Sequence, residues 1–114
     1  MSAITTHVLD ISIGRPAAGV PVKLDRQTND GLWEPIGCEK TDDNGRARDL
    51  MPEGRSLTAA VHRLTFDVGS YFKDKQIEGF YQEVVIAFTV NEPSQHYHVP
   101  LLLSPFGYST YRGS

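Results

Sequence analysis

The chain has a single cysteine, Cys38, among its 114 residues, so no internal disulfide can form and no thiolate cluster can hold a metal. Nothing approaches the roughly 18 apolar residues of a spanning helix. The opening MSAITTHVLD has neither the basic start nor the apolar core of a secretory signal. These absences point to a cytoplasmic protein with no membrane partner. Eleven Lys and Arg stand against 14 Asp and Glu, for a net charge of −3, and the basic residues are scattered. No cationic patch exists to neutralise a run of phosphates, which argues against a nucleic-acid partner. A Gly-rich phosphate loop, a Gly-x-Ser-x-Gly elbow, an HExxH pair and low-complexity tracts are also missing. Whatever site the chain builds is expected to need no cofactor.

What is present reads as one all-β domain spanning residues 1–114, long enough to bury roughly two-thirds of its unfolded surface. Short β-rich runs alternate with Gly, Pro, Asn and Asp punctuation, a rhythm of sandwiches and barrels with about seven or eight strands. Thr5 to Ile11 alternates its faces and stops at Gly14-Arg15-Pro16. Val20 to Arg26 sets Val20, Val22 and Leu24 against Pro21, Lys23 and Asp25. Leu32 to Cys38 reads as an edge strand, because Pro35 lacks a ladder donor. Leu57 to Asp67 and Tyr81 to Val90 carry the β-branched and apolar residues of central strands. Between them, Gly69 to Lys75 suits about two helical turns, with Ser70 as the expected N-cap. Phe66, Tyr71, Phe72, Phe80, Tyr81 and Phe88 are expected to pack in the core or in interfaces.

The end of the chain, HYHVPLLLSPFGYSTYRGS, forms two further strands around a Ser-Pro-Phe-Gly turn. His96 and His98 are two apart and share a strand face, yet two histidines fall short of the three or four protein ligands that zinc takes. His7 lies on the face of Thr5 and Leu9, where a lone histidine is often only a partner for a backbone carbonyl. Arg46 directly follows the Asp42-Asp43-Asn44-Gly45 turn; it reads as an edge arginine, with Arg48 as its competitor. His62 reads as a surface or capped histidine. Histidines that titrate near neutrality and a permanently charged arginine are the groups that proton transfer and oxyanion stabilisation require.

Thr5-Thr6-His7-Val8-Leu9-Asp10, Gly14 to Val22, Asn44-Gly45-Arg46 and the terminal Tyr111-Arg112-Gly113-Ser114 resemble the 5-hydroxyisourate hydrolase family, the transthyretin-related enzymes of urate breakdown. The resemblance covers nearly the whole chain. It implies a transthyretin-like β-sandwich of two four-stranded sheets with one short helix. It also implies a homotetramer, a dimer of dimers, with sites in the channel where the dimers meet. Carried over by position, the catalytic residues are His7, Arg46, His98 and Ser114. Pro100 and Leu102 share the His98 face, and Tyr111 with Ser109 is expected to line the substrate pocket.

The reaction implied is cofactor-free hydrolysis of a ring amide of 5-hydroxyisourate, giving a ureido-imidazoline on the way to allantoin. In the assignment adopted, His98 with Arg46 activates water, His7 protonates the leaving nitrogen and Ser114 fixes the substrate; exchanged histidine roles would look similar. A rival reading keeps the fold but makes the channel a non-catalytic carrier of a thyroid-hormone type of ligand, as in vertebrate transthyretin. A third is a partner-binding sandwich with no small-molecule site. Fold alone does not choose among them.

Overall fold

The computed structural model describes residues 2–114. The strands are β1 (Ile4–Asp10), β2 (Arg15–Pro16), β3 (Pro21–Gln27), β4 (Trp33–Lys40), β5 (Arg46–Ala47), β6 (Ala60–Phe66), β7 (Val84–Val90), β8 (Tyr97–Ser104) and β9 (Gly107–Thr110), with one helix, α1 (Val68–Asp74), between β6 and β7. They form two sheets. One runs β2-β1-β8-β9 with the two-residue β5 added against β1, and the other runs β4-β3-β6-β7. The architecture is the expected sandwich with a fifth, very short strand on one sheet. That extra strand carries Arg46.

Alternation explains the layering. Ile4, Val8, Val99, Leu101 and Leu103 from the first sheet meet Val22, Leu24, Leu64, Phe66 and Val84 from the second, all buried. Val68, Tyr71 and Phe72 of α1 join this core. Asp10 is fully buried with them, and its carboxylate accepts hydrogen bonds from the Tyr71 hydroxyl at 2.8 Å and from Ser12. A buried charge is tolerable only when paired or hydrogen-bonded in this way. The Asp10–Tyr71 bond ties the helix to the sheet that bears the site.

Several expectations need correction. The N-cap of α1 is Asp67, whose side chain accepts from the Ser70 N–H; Ser70 lies inside the helix. Strand β7 is an edge strand rather than a central one. His62 is 1% exposed, facing the core with its Nδ1 at the Ala60 carbonyl and its ring stacked on Phe88. Phe80 and Tyr81 precede β7 instead of starting it, and stand exposed in an edge-to-face pair that continues to Tyr108. The Pro35 strand is an edge as expected, and the register slips opposite it between Leu24 and Asp25. Among the described residues, no helix is long and apolar enough to cross a membrane.

Candidate active site

The outward face of the β1–β8 pair is a small grid set by register. Thr5 stands opposite His98, and His98 opposite Gly113; His7 stands between Arg46 and Pro100; Leu9 faces Leu102, and Leu102 faces Ser109. Polar groups thus occupy one end of the face and aliphatic groups the other. Neighbouring strands lie about 4.8 Å apart and alternate residues about 6.7 Å apart, so His7 and His98, diagonal on the grid, are roughly 8 Å apart at Cα.

Arg46 reaches His7 through a turn built for that purpose. The Asp42 carboxylate accepts hydrogen bonds from the Asn44 and Arg46 N–H groups at 2.9 and 3.0 Å, closing an Asx turn. Gly45 has φ +76°, and a Cβ there would meet the Val8 carbonyl oxygen at 2.3 Å. Only glycine allows that approach. The Gly45 carbonyl accepts from Val8 N–H at 2.7 Å, which locks the turn against β1 and delivers Arg46 opposite His7.

The C-terminal segment performs the same task for His98. Gly113 N–H donates to the His98 carbonyl at 2.8 Å, and a Cβ on Gly113 would meet the His98 Cδ2 at 2.6 Å. The backbone therefore lies directly on the imidazole and turns Ser114 inward. Ser114 lines an open cleft of about 250 Å³ with Thr5, Arg46, Arg48, His96 and His98.

The electrostatics favour neutral imidazoles. Burial is the main force holding His98 below its ordinary value, and the positive charges of His96, His7 and Arg46 add to it. His7 is lowered as well, by burial first and then by Arg46, while a backbone hydrogen bond with Asn44 and the Asp42 carboxylate work the other way. A neutral histidine beside a fixed guanidinium is poised to accept a proton near neutral pH. Among the described residues, no group of three or more His, Cys, Asp or Glu side chains is placed to hold a metal ion.

Of the residues expected from sequence, His7, Arg46, His98, Pro100, Leu102, Ser109 and Ser114 meet on this face or in its cleft. Tyr111 does not. Strand β9 ends at Thr110, so alternation no longer sets the direction of Tyr111, which lines a separate groove of about 230 Å³ with Ile86, Phe88, Tyr97 and Val99. Three further cleft residues, Thr5, Thr6 and Arg48, stood outside the expected site, Arg48 having entered only as the competitor of Arg46. For Thr5, two residues from His7 on β1, that spacing was the available signal; Arg48 follows the end of β5, where alternation no longer applies. His96, just ahead of β8, lines the cleft as well.

Comparison with known proteins is decisive about ancestry. A model of the HIUase/Transthyretin family matches residues 4–113. The chain belongs to the HIUase/Transthyretin family. Within that family it is 48% identical, over 113 residues, to a probable 5-hydroxyisourate hydrolase of Caenorhabditis elegans, covering 99% of this chain and 82% of the relative. The solved 5-hydroxyisourate hydrolase of Klebsiella pneumoniae superposes with a TM-score of 0.83 at 35% identity, over 97% of this chain and 92% of that one. Sea bream transthyretin in complex with thyroxine superposes with a TM-score of 0.90 at 32% identity, over 98% and 95%. The family thus holds both a hydrolase and a hormone-binding fold mate of this chain, and the side chains of the face must choose.

Proposed function

We propose that this chain hydrolyses 5-hydroxyisourate, a step of urate degradation. The observation that carries the reading is the grid on one sheet face, where His7 stands opposite Arg46 and both His7 and His98 are held toward the neutral form, with Arg46 and His98 lining one cleft. A carrier of an aromatic hormone has no use for such groups. The sequence relatives named as hydrolases, at 40–48% identity, agree with that choice.

In this reading His98 takes a proton from water, and the water oxygen attacks a ring amide carbon. Arg46 stabilises the oxyanion that develops, and His7, after taking up a proton from solvent, delivers it to the nitrogen as the C–N bond breaks and returns to its neutral form. Ser114 and the aliphatic Pro100 and Leu102 hold the ring, with Ser109 at the rim. The cleft is open in one subunit, which fits a second subunit as its missing wall. Accordingly the working form is a homotetramer, a dimer of dimers with the sites at the dimer–dimer contact, acting in the cytoplasm as one 114-residue unit without cofactor. Oligomer mass by light scattering tests the assembly. Turnover of freshly generated 5-hydroxyisourate and equilibrium binding of thyroxine, measured on one preparation, test the function. Catalysed loss of the substrate supports the hydrolase, whereas tight thyroxine binding with no turnover supports the carrier.

A further inference from the structure

Thr5 is 4% exposed, and its hydroxyl stands between two imidazoles: Oγ1 is 2.9 Å from His96 Nε2 and 2.8 Å from His98 Nδ1. A hydroxyl has one hydrogen and two lone pairs, so it cannot donate to both rings. If its hydrogen bonds one ring, the other ring must bring an N–H. The two histidines are therefore coupled: their facing nitrogens cannot both be bare. We propose that Thr5 is a positioning residue that fixes the tautomer of His98 and, through His96, gives the proton taken up in the cleft a way out to solvent. This rests on the hydrolase reading above.

The resting arrangement follows from the base role of His98: Nδ1 is held at Thr5 Oγ1, so Nε2 must be the nitrogen left free to take a proton. His98 donates Nδ1–H to Thr5 Oγ1, which leaves Nε2 bare; the Thr5 hydroxyl donates to His96 Nε2, so His96 carries its hydrogen on Nδ1. No buried side-chain nitrogen or oxygen among the described residues lacks a partner, which places the bare Nε2 in accessible space. The ring cannot turn away, because Gly113 lies against Cδ2.

When Nε2 accepts a proton from water, the balance closes in three moves. His98 passes its Nδ1 proton to Thr5 Oγ1, the hydroxyl hydrogen passes to His96 Nε2, and His98 is left neutral as the Nε2–H tautomer. His96, exposed at the entrance to β8, holds the charge and loses its proton to bulk water; after the product leaves, a proton taken up at His96 runs back through Thr5 to Nδ1 of His98 as Nε2 releases its own to water in the emptied cleft, which restores the starting tautomers. The charged groups facing His98 favour this export: His7 from β1, Arg46 from β5 and His96 itself all oppose an imidazolium at position 98. Arg48 lines the same cleft, and Asp42 acts on His7 from the turn before β5. Thr5 is well suited to the post, since a β-branched residue belongs in a buried strand and the hydroxyl lies where Val would put a methyl.

The test compares Thr5→Val, Thr5→Ser and His96→Gln with the unaltered protein. Long-range proton–nitrogen spectra of 15N-histidine-labelled protein above pH 7 report which ring nitrogen of His98 bears hydrogen. The proposal expects Nδ1–H in the unaltered protein and in Thr5→Ser, and a mixture of tautomers in Thr5→Val. It expects kcat to fall about 10–100-fold in Thr5→Val with KM nearly constant, within the range of lost general acid–base assistance. His96→Gln should retain the tautomer but lower kcat and shift its pH dependence, and Thr5→Ser should restore both. An unchanged His98 tautomer together with unchanged kcat in Thr5→Val overturns the proposal. Should Thr5→Val fail to fold, an Nε2–H tautomer in the unaltered protein, or full activity with an unmoved pH profile in His96→Gln, does the same. Loss of the hydrolase reading itself would show differently, as absence of turnover in the unaltered protein.

Discussion

A Cβ on Gly113 would stand 2.6 Å from Cδ2 of His98, so the backbone of the C-terminal segment is in contact with the imidazole that the mechanism uses as its base. The contact makes the end of the chain part of the site. Gly113→Ala must displace either the ring or the segment that carries Ser114. Because a misplacement of about 1 Å costs on the order of 10²-fold in rate, turnover should fall by about that much while thermal stability stays within a few degrees. Steady-state assay alongside thermal melting checks this, and a fully active Gly113→Ala protein contradicts it.

Acidity should inactivate the protein late. His7 and His98 are both held below the ordinary histidine value of about 6.5, chiefly by burial, so their neutral forms persist on the acid side of that value. The acid limb of log kcat/KM against pH, set by protonation of the His98 base, should therefore have its midpoint below about 6.5. Arg46→Gln removes a positive charge that opposes protonation of both rings. Its residual activity should show the limb moved upward, which a pH series on the two proteins measures.

Stability has its own acid dependence, through His62. Its ring is buried against Phe88, and burial lowers its affinity for a proton. Below about pH 6.5 the unfolded chain binds a proton at this position that the folded chain resists, so stability falls as pH decreases through that window and is fully present above it. Chemical denaturation at pH 7.5 and 5.5 should show a smaller difference for His62→Leu than for the unaltered protein. An equal difference would remove His62 from the account.

The Asp10–Tyr71 bond predicts a structural loss without a chemical one. Tyr71→Phe deletes the hydroxyl donor to a fully buried carboxylate, which retains only its Ser12 partner. Hydrogen bonds to charged groups contribute about 1.5–3 kcal/mol, so the unfolding midpoint in urea should drop accordingly. The specific activity of the folded fraction should be preserved, since neither residue lines the cleft.

Sequence periodicity reached the elements whose two faces differ. Strand β3, the edge character of the Pro35 strand and the shared face of His98, Pro100 and Leu102 all follow from alternation and turn chemistry; the pairing that sets His7 beside that face does not. It failed where a tertiary contact decides. Asp67 rather than Ser70 caps α1 because the helix begins at Val68, three residues before a Ser70 cap would start it, and Phe80 and Tyr81 are exposed because β7 starts only at Val84. The tail residue Tyr111 was placed by an alternation that stops at Thr110. A threonine in a strand reads as ordinary β propensity, so the hydroxyl bridge of Thr5 was invisible until register set it opposite His98. Arg46 became legible only through the resemblance, because its partner lies 39 positions back, across a pairing that a two-residue strand makes.

The most direct test generates 5-hydroxyisourate in the cuvette from urate and urate oxidase and follows its near-ultraviolet absorbance with the unaltered protein and with His98→Asn. The account predicts loss far faster than spontaneous decay with the unaltered protein, and a decrease of roughly 10²–10⁴-fold in His98→Asn at unchanged oligomeric mass. Decay at the uncatalysed rate with the unaltered protein, or near-normal turnover in His98→Asn, would contradict it.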